Sequence, residues 1–121
     1  MGLSVGIITF NEEKRLERTL ESVRSFANEV IIVDSGSTDK THEIAQKFSA
    51  NFFVESWKGY GLQKNSVIDK CKEDWILLID ADEVISPELK NKIIEIVNQS
   101  KDDVYEVNFT SVCFGKKIKH G

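Results

Sequence analysis

The sequence predicts an α/β fold with a mostly parallel sheet, and three observations carry that prediction. Short, uninterrupted apolar runs alternate with segments whose apolar residues recur at helical spacing. The runs are continuous, as expected for strands covered on both faces. Three of them end in polar clusters, Thr9-Phe10-Asn11-Glu12, Asp34-Ser35-Gly36-Ser37-Thr38-Asp39 and Asp80-Ala81-Asp82-Glu83, and in a parallel sheet all three converge on the carboxyl edge, where ligands bind.

Leu3 to Ile8 is apolar and β-branched, a first strand ending near Thr9. Asn11 is placed to cap a helix, with Glu12 and Glu13 in the first turn, where negative charge suits the helix dipole. Leu16, Leu20, Val23 and Ala27 then mark one inward face. Val30 to Val33 is the second strand, broken by Ser35-Gly36-Ser37. Thr38 or Asp39 can cap the next helix, which carries Ile44 and Phe48 inward. Phe52 to Val54 is a short third strand. The loop Trp57-Lys58-Gly59-Tyr60-Gly61 leads into a helix running to Cys71, and Trp75 to Ile79 forms the fourth strand. Pro87 suits the first turn of the following helix, with Ser86 as its cap and Leu89, Ile93 and Ile96 on one face. Val104 to Phe114 alternates loosely and reads as one last strand at an edge.

Composition bounds the possibilities. A chain of 121 residues, 40% apolar and 30% charged, is an ordinary single domain able to bury a core. Its net charge of −4 argues against non-specific nucleic-acid binding. Cys71 and Cys113 match no metal-ligand or redox spacing and read as buried thiols in a reducing compartment. No apolar run approaches the roughly 20 residues that span a bilayer, and the first residues lack the pattern of a signal peptide, so a cytoplasmic location is expected. His42 reads as a helix-surface residue and His120 as part of a terminal tail. The basic Lys116-Lys117-Ile118-Lys119 reads as a solvated end, with contact to an anionic membrane or lipid acceptor as the alternative.

The carboxylates are the chemistry-bearing groups. Asp80, Asp82 and Glu83 repel one another unless they face water or a cation, and a divalent ion completed by phosphate oxygens would turn them into a site. Asp34 stands at the end of a buried strand, where a carboxylate needs a partner; the ring N–H of a nucleotide base is one. A strand-to-helix turn with a good cap is the simpler reading of the same residues, with Gly36 supplying a positive backbone torsion. A nucleotidyltransferase would need a Gly-rich basic loop after the first strand, where this chain has Asn11-Glu12-Glu13. A response-regulator-like domain would place its acidic pair after the first strand rather than the fourth. A pure interaction module would bind no nucleotide.

In their order, Thr9 to Glu12, Asp34 to Thr41, Lys64-Asn65 and Asp80 to Glu83 resemble the nucleotide-sugar-binding part of family-two glycosyltransferases with the GT-A fold. The resemblance covers essentially the whole chain. Phe114 to Gly121 is similar to the subgroup that acts in lipopolysaccharide inner-core synthesis. The resemblance implies a Rossmann-like GT-A sheet over residues 1–121, truncated before the acceptor-binding part. It implies that Thr9, Asn11 and Glu12 line the nucleoside pocket, with Glu12 near the ribose. Asp34 would accept from the uracil imide and Asp39 would be the second carboxylate of that motif, with helix capping as its alternative role. Lys64 would sit near the nucleotide, with Asn65 shaping the wall. Asp82 would ligate Mg²⁺ or Mn²⁺, and Asp80 would face the ribose or a metal-bound water. Glu83 reads as a helix-proximal carboxylate. The expected function is inverting, metal-dependent transfer from a nucleotide-diphosphate sugar, UDP-linked by the reading of Asp34, to a glycan or lipopolysaccharide-type acceptor. The general base is expected beyond Gly121, Glu83 and Glu88 being explained as surface charge. Apolar surface that the acceptor part would cover leads to an expectation of self-association.

Overall fold

The computed structural model describes residues 2–99, 106–109 and 112–116. Ten elements follow in chain order: β1 (Leu3–Thr9), α1 (Leu16–Val23), β2 (Glu29–Asp34), α2 (Thr41–Lys47), β3 (Asn51–Val54), α3 (Tyr60–Lys70), β4 (Trp75–Asp80), α4 (Pro87–Gln99), β5 (Glu106–Phe109) and β6 (Val112–Lys116). The strands form one sheet in the order β3-β2-β1-β4-β6-β5. β1 to β4 pair in parallel, whereas β6 runs antiparallel to both β4 and β5. The predicted α/β class holds, with two corrections. The single strand expected from Val104 to Phe114 is an antiparallel pair, β5 and β6, and β6 is interior to the sheet rather than at its edge. The third helix takes in Tyr60 and Gly61, which the sequence pattern places in the preceding loop. The basic tail beyond Lys116, His120 and Val104 lie outside the described residues.

Strand periodicity divides the core cleanly. Leu3, Val5 and Ile7 of β1, Ile32 of β2, and Trp75, Leu77 and Ile79 of β4 share one face with Leu16, Leu20 and Val23 of α1, Ala45 of α2, and Ile93 and Val97 of α4. Trp75 stacks on Phe114 of β6 with ring centroids 5.1 Å apart. The opposite face pairs Ile31, Val33 and Ile76 with Val67 of α3 and with Cys71. Alternate residues thus serve opposite layers, which is why the strands read as continuous apolar runs. At eight residues α1 is too short to hold as an isolated helix. Burial of Leu16, Leu20 and Val23, about 1.5–3 kcal/mol each, is what holds it.

α3 lies so close to β1 that Gly6 has no room for a side chain: a Cβ there would sit 2.3 Å from Val67 Cγ1 and 2.9 Å from Leu78 Cδ2. Gly6→Ala is therefore expected to cost about 1–3 kcal/mol through overpacking. A lowered urea midpoint at unchanged m-value would show it; an unchanged midpoint would mean that α3 can retreat freely.

A local rule accounts for the start of α4. Ser86 Oγ accepts the Leu89 N–H (3.2 Å), the N-cap bond predicted for α4. Asn11, by contrast, is not the cap of α1. It takes a positive φ of 52°, which Asn tolerates better than most residues, and α1 begins only at Leu16. His42 is exposed on α2, stacked on Phe52 at 4.3 Å. No helix among the described residues is long and apolar enough to cross a membrane.

Candidate functional site

The chain winds outward from β1 through β2 to β3, then returns to β4 on the other side of β1. Ligands of such sheets bind at this switch point, outside the carboxyl ends of the strands. The register aligns Thr9 with Asp34 and Ile8 with Asp80, so the three polar clusters do meet on one edge. A cleft of about 760 Å³ opens there. Gly6, Ile8, Leu78 and Cys113 form its floor on the α3 side of the sheet, and Trp57, Tyr60 and Lys64 form one wall.

Asp80 and Asp82 reach the cleft because the turn between them is anchored from behind. The Asp80 carbonyl accepts the Glu83 N–H (3.0 Å), closing a turn at the end of β4. Ala81 is buried, and its carbonyl accepts the hydroxyl of buried Thr19 on α1 (2.7 Å). Ser22 Oγ, itself bonded to the Thr19 carbonyl, accepts the Ile85 N–H (3.0 Å). With Ala81 turned inward, Asp80 and Asp82 are exposed at the mouth of the cleft. Burial pushes the Asp80 carboxyl above its usual range, and repulsion from Asp82 and Glu83 adds to this, while Lys64 pulls the other way. This local concentration of negative charge, offset in part by Lys64, fits a divalent cation. Two carboxylates suit an ion that keeps water and takes phosphate oxygens for the rest of its shell. Among the described residues no group of three or more potential ligands forms a complete protein-only site.

The other two clusters are stapled together. Asn11 N–H donates to Ser37 Oγ (2.7 Å) and Asn11 Oδ1 accepts the Thr38 N–H (2.8 Å). Glu12 N–H donates to Thr41 Oγ1 (2.8 Å) and Glu13 N–H to Asp39 Oδ2 (3.2 Å). Asp39 also accepts the Thr41 N–H at 2.9 Å. Desolvation works to raise the Asp39 carboxyl, but the hydrogen bonds from Thr41 and Glu13 prevail and hold it below its usual range.

Asp34 is 1% exposed and saturated. Its Oδ1 accepts from Thr9 Oγ1 (2.6 Å) and Ser37 Oγ (2.5 Å), and its Oδ2 from the N–H groups of Gly36 (2.8 Å) and Ser37 (2.6 Å). The buried carboxylate did need partners, and the protein itself supplies them.

The expected site residues thus separate into two groups. Thr9, Glu12, Lys64, Asp80 and Asp82 line the cleft. Asn11, Asp34 and Asp39 do not; they hold its walls. Asp34 is buried, and its four hydrogen bonds all come from the protein. Asn65 is exposed on α3 and also lies outside the lining. The expectation that both thiols are buried is corrected for Cys113, which is half-buried at the cleft floor.

Sequence reasoning missed Arg15, Trp57 and Tyr60 at the cleft, and Thr19, Ser22, Glu55 and Gln63 behind it. Arg15 Nε donates to Glu12 Oε2 at 2.9 Å; the i, i+3 spacing was the available signal. Trp57 and Tyr60 meet edge to face with centroids 4.9 Å apart. Their loop is fixed by buried Gln63, whose Nε2 donates to the Glu55 carbonyl (3.1 Å) and whose Oε1 accepts the Lys58 N–H (3.3 Å). The Glu55 carboxylate binds Lys58 (2.6 Å) and Lys70 (2.5 Å).

Lys58 and Lys70, with Ser66, lower the Glu55 carboxyl from 4.5 to about 2. A carboxyl whose folded value lies below its unfolded value contributes stability above the unfolded value and loses it as pH falls through the folded one. The contribution of this clamp is therefore expected to be present above pH 4.5 and to disappear towards pH 2. Its partial exposure keeps the effect modest. Urea titrations of the parent and Glu55→Gln at about pH 7 and about pH 3 should show the variant's deficit shrink, without vanishing, at the lower pH. An equal deficit at both would assign the loss to packing.

Comparison with known proteins follows from this geometry. The family described as Glycosyl transferase family 2 matches residues 4–119. The chain belongs to that family. It is 48% identical over 103 residues to an uncharacterized glycosyltransferase of Rickettsia bellii, covering 85% of this chain and 35% of that protein. It is 37% identical over 107 residues to the lipopolysaccharide core biosynthesis glycosyltransferase LpsC of Rhizobium meliloti, covering 84% and 39%. Among solved structures, S. aureus TarS 1–349 in complex with UDP superposes with a TM-score of 0.68 at 26% identity, covering 86% of this chain and 34% of that one. Glucosyl-3-phosphoglycerate synthase of Mycobacterium tuberculosis, in complex with Mn²⁺, UDP and glucosyl-3-phosphoglycerate, superposes with a TM-score of 0.67 at 21% identity, covering 83% and 40%, a likeness of fold. The fold is GT-A, and the chain spans little more than a third of the length of these relatives.

Proposed function

We propose that this chain is the donor-binding part of an inverting, metal-dependent glycosyltransferase that uses a UDP-linked sugar. The observation that carries the reading is the meeting, at the β1/β4 switch point, of the Asp80–Asp82 turn with Lys64 and with the Thr9–Glu12 loop in one cleft. The UDP complex of TarS supports a uridine donor. The name of LpsC supports a glycan or lipopolysaccharide-type acceptor and a place in lipopolysaccharide core synthesis.

Asp82 would hold the Mg²⁺ or Mn²⁺ ion directly, and Asp80 would face the ribose or a metal-bound water. The ion supplies Lewis-acid stabilisation of charge on the departing diphosphate. Lys64 adds a positive charge on the same side, Glu12 faces the ribose, and Asn11 and Asp39 keep the nucleoside wall in place. Asp34 acts at one remove, by fixing Thr9 and the β2–α2 turn. In the reaction, an acceptor hydroxyl attacks the anomeric carbon, the bond to the diphosphate breaks, and the hydroxyl proton passes to a base. We place that base in the part of the enzyme beyond Gly121. Phe10, Trp57, Tyr60 and Leu62 are exposed at or near the cleft, an apolar rim suited to the acceptor part or to a second copy.

Calorimetric titration with UDP, with and without Mn²⁺, tests the reading. Binding that depends on the metal is expected. Absent or metal-independent UDP binding would remove the proposed site.

A further inference from the structure

Thr19 spends its hydroxyl outside its own helix. A threonine inside a helix can donate to the carbonyl four residues back, but Thr19 Oγ1 stands 3.5 Å from the Arg15 carbonyl and only 2.7 Å from that of Ala81, 62 residues on. The residue is fully buried, so solvent does not compete for this bond. On the same face of α1, three residues further, Ser22 Oγ donates to the Thr19 carbonyl (2.7 Å) and accepts the Ile85 N–H (3.0 Å). Two fixed points on α1 therefore bracket the segment that carries Asp82.

The sheet lets go of the chain before that segment. Among the described residues β4 pairs with β1 only as far as Asp80 and with β6 only as far as Leu78. The Thr19 bond also sets which way a peptide faces. Cis peptide bonds are absent among the described residues, so with the Ala81 carbonyl turned to α1 the Asp82 N–H is directed the opposite way. Freed from Thr19, that peptide plane can rotate, and rotation displaces the Asp80 and Asp82 carboxylates relative to one another. We infer that Thr19, assisted by Ser22, is a positioning residue whose hydroxyl sets the affinity of the Asp80–Asp82 turn for Mn²⁺ or Mg²⁺. This rests on the metal-dependent nucleotide reading above and deepens it. A small hard cation tolerates little departure from its preferred geometry. Removing a group that orients its ligands typically costs roughly 10–100-fold in metal affinity.

The test is calorimetric titration of UDP at a series of Mn²⁺ concentrations, at a temperature where circular dichroism shows each variant folded. Thr19→Val keeps the branched shape and removes the donor. In that variant the Mn²⁺ concentration that gives half-maximal UDP binding is expected to rise about tenfold or more. Thr19→Ser restores the donor and should stay within about threefold of the parent. Val23→Ala removes buried apolar volume from the same helix and leaves both hydroxyls. It should lower the melting temperature with the Mn²⁺ requirement unchanged. A parent-like Mn²⁺ requirement in folded Thr19→Val overturns the proposal. So does an equal rise in Thr19→Ser or in Val23→Ala, either of which makes the effect one of packing. Should Thr19→Val not fold, Ser22→Ala takes its place; a rise of about threefold or more is expected there, and a parent-like value overturns the assignment. A parent that binds no UDP at any Mn²⁺ concentration removes the metal–nucleotide reading itself, a result separate from all of these.

Discussion

Asp82→Ala is expected to weaken Mn²⁺-dependent UDP binding by about a hundredfold while leaving the melting temperature unchanged or slightly raised. Loss of even an outer group around a metal costs roughly 10–100-fold in affinity, and Asp82 is proposed as the direct ligand. The fold has little to lose, because Asp82 is exposed. Its charge also opposes that of Asp80, whose carboxyl is pushed up by burial and then by Asp82 and Glu83. Substitutions at such surface positions usually lie within about 0.5 kcal/mol of neutral. Titration of UDP with and without Mn²⁺, run beside a thermal melt, separates the two effects. A variant that binds UDP·Mn²⁺ like the parent would exclude Asp82 as the ligand.

Asp34→Ala is expected to do the reverse, damaging the fold first and binding only as a consequence. It would strip acceptors from the buried Thr9 hydroxyl and from the part-buried Ser37 hydroxyl and N–H groups of Gly36 and Ser37. Unpaired buried donors cost about 1–3 kcal/mol each, and water entering the space left by the carboxylate recovers part of that. A net loss of about 3–5 kcal/mol is expected, against a total stability of about 5–15 kcal/mol for a domain. The melting temperature should then fall by about 10 °C or more. Asp34→Asn, which keeps an acceptor oxygen, should lose less. A variant that melts like the parent but no longer binds UDP would return Asp34 to the role of a direct ligand contact.

The two variants mark the boundary between what was legible in the residues and what was not. The central strands were legible because each serves two apolar layers: in β1, Leu3, Val5 and Ile7 face α1, while Gly6 and Ile8 face α3. The convergence of Thr9, Asp34 and Asp80 was legible too, since parallel strands deliver their ends to one edge. The hairpin β5–β6 was not, because loose alternation shows that a segment is half-buried without showing where it reverses. Trp57 and Tyr60 were missed at the cleft because nothing local distinguishes them from any loop aromatic pair. What sets them there is the Glu55–Lys58–Lys70–Gln63 clamp and the approach of α3.

By itself the sequence determined which residues carry charge, where strands end, and therefore that Asp34, Asp80 and Asp82 belong to one edge of an α/β sheet. Only the tertiary structure decided which of those carboxylates face the cleft. Asp34 and Asp80 both close buried strands, and no periodicity distinguishes them. Asp34 is enclosed by donors from its own turn and from Thr9, whereas the turn after Asp80 is held from behind by Thr19 and Ser22, which leaves Asp80 and Asp82 at the mouth. A carboxylate is satisfied by whatever donors the packed chain brings within about 3 Å, and those come from residues distant in sequence.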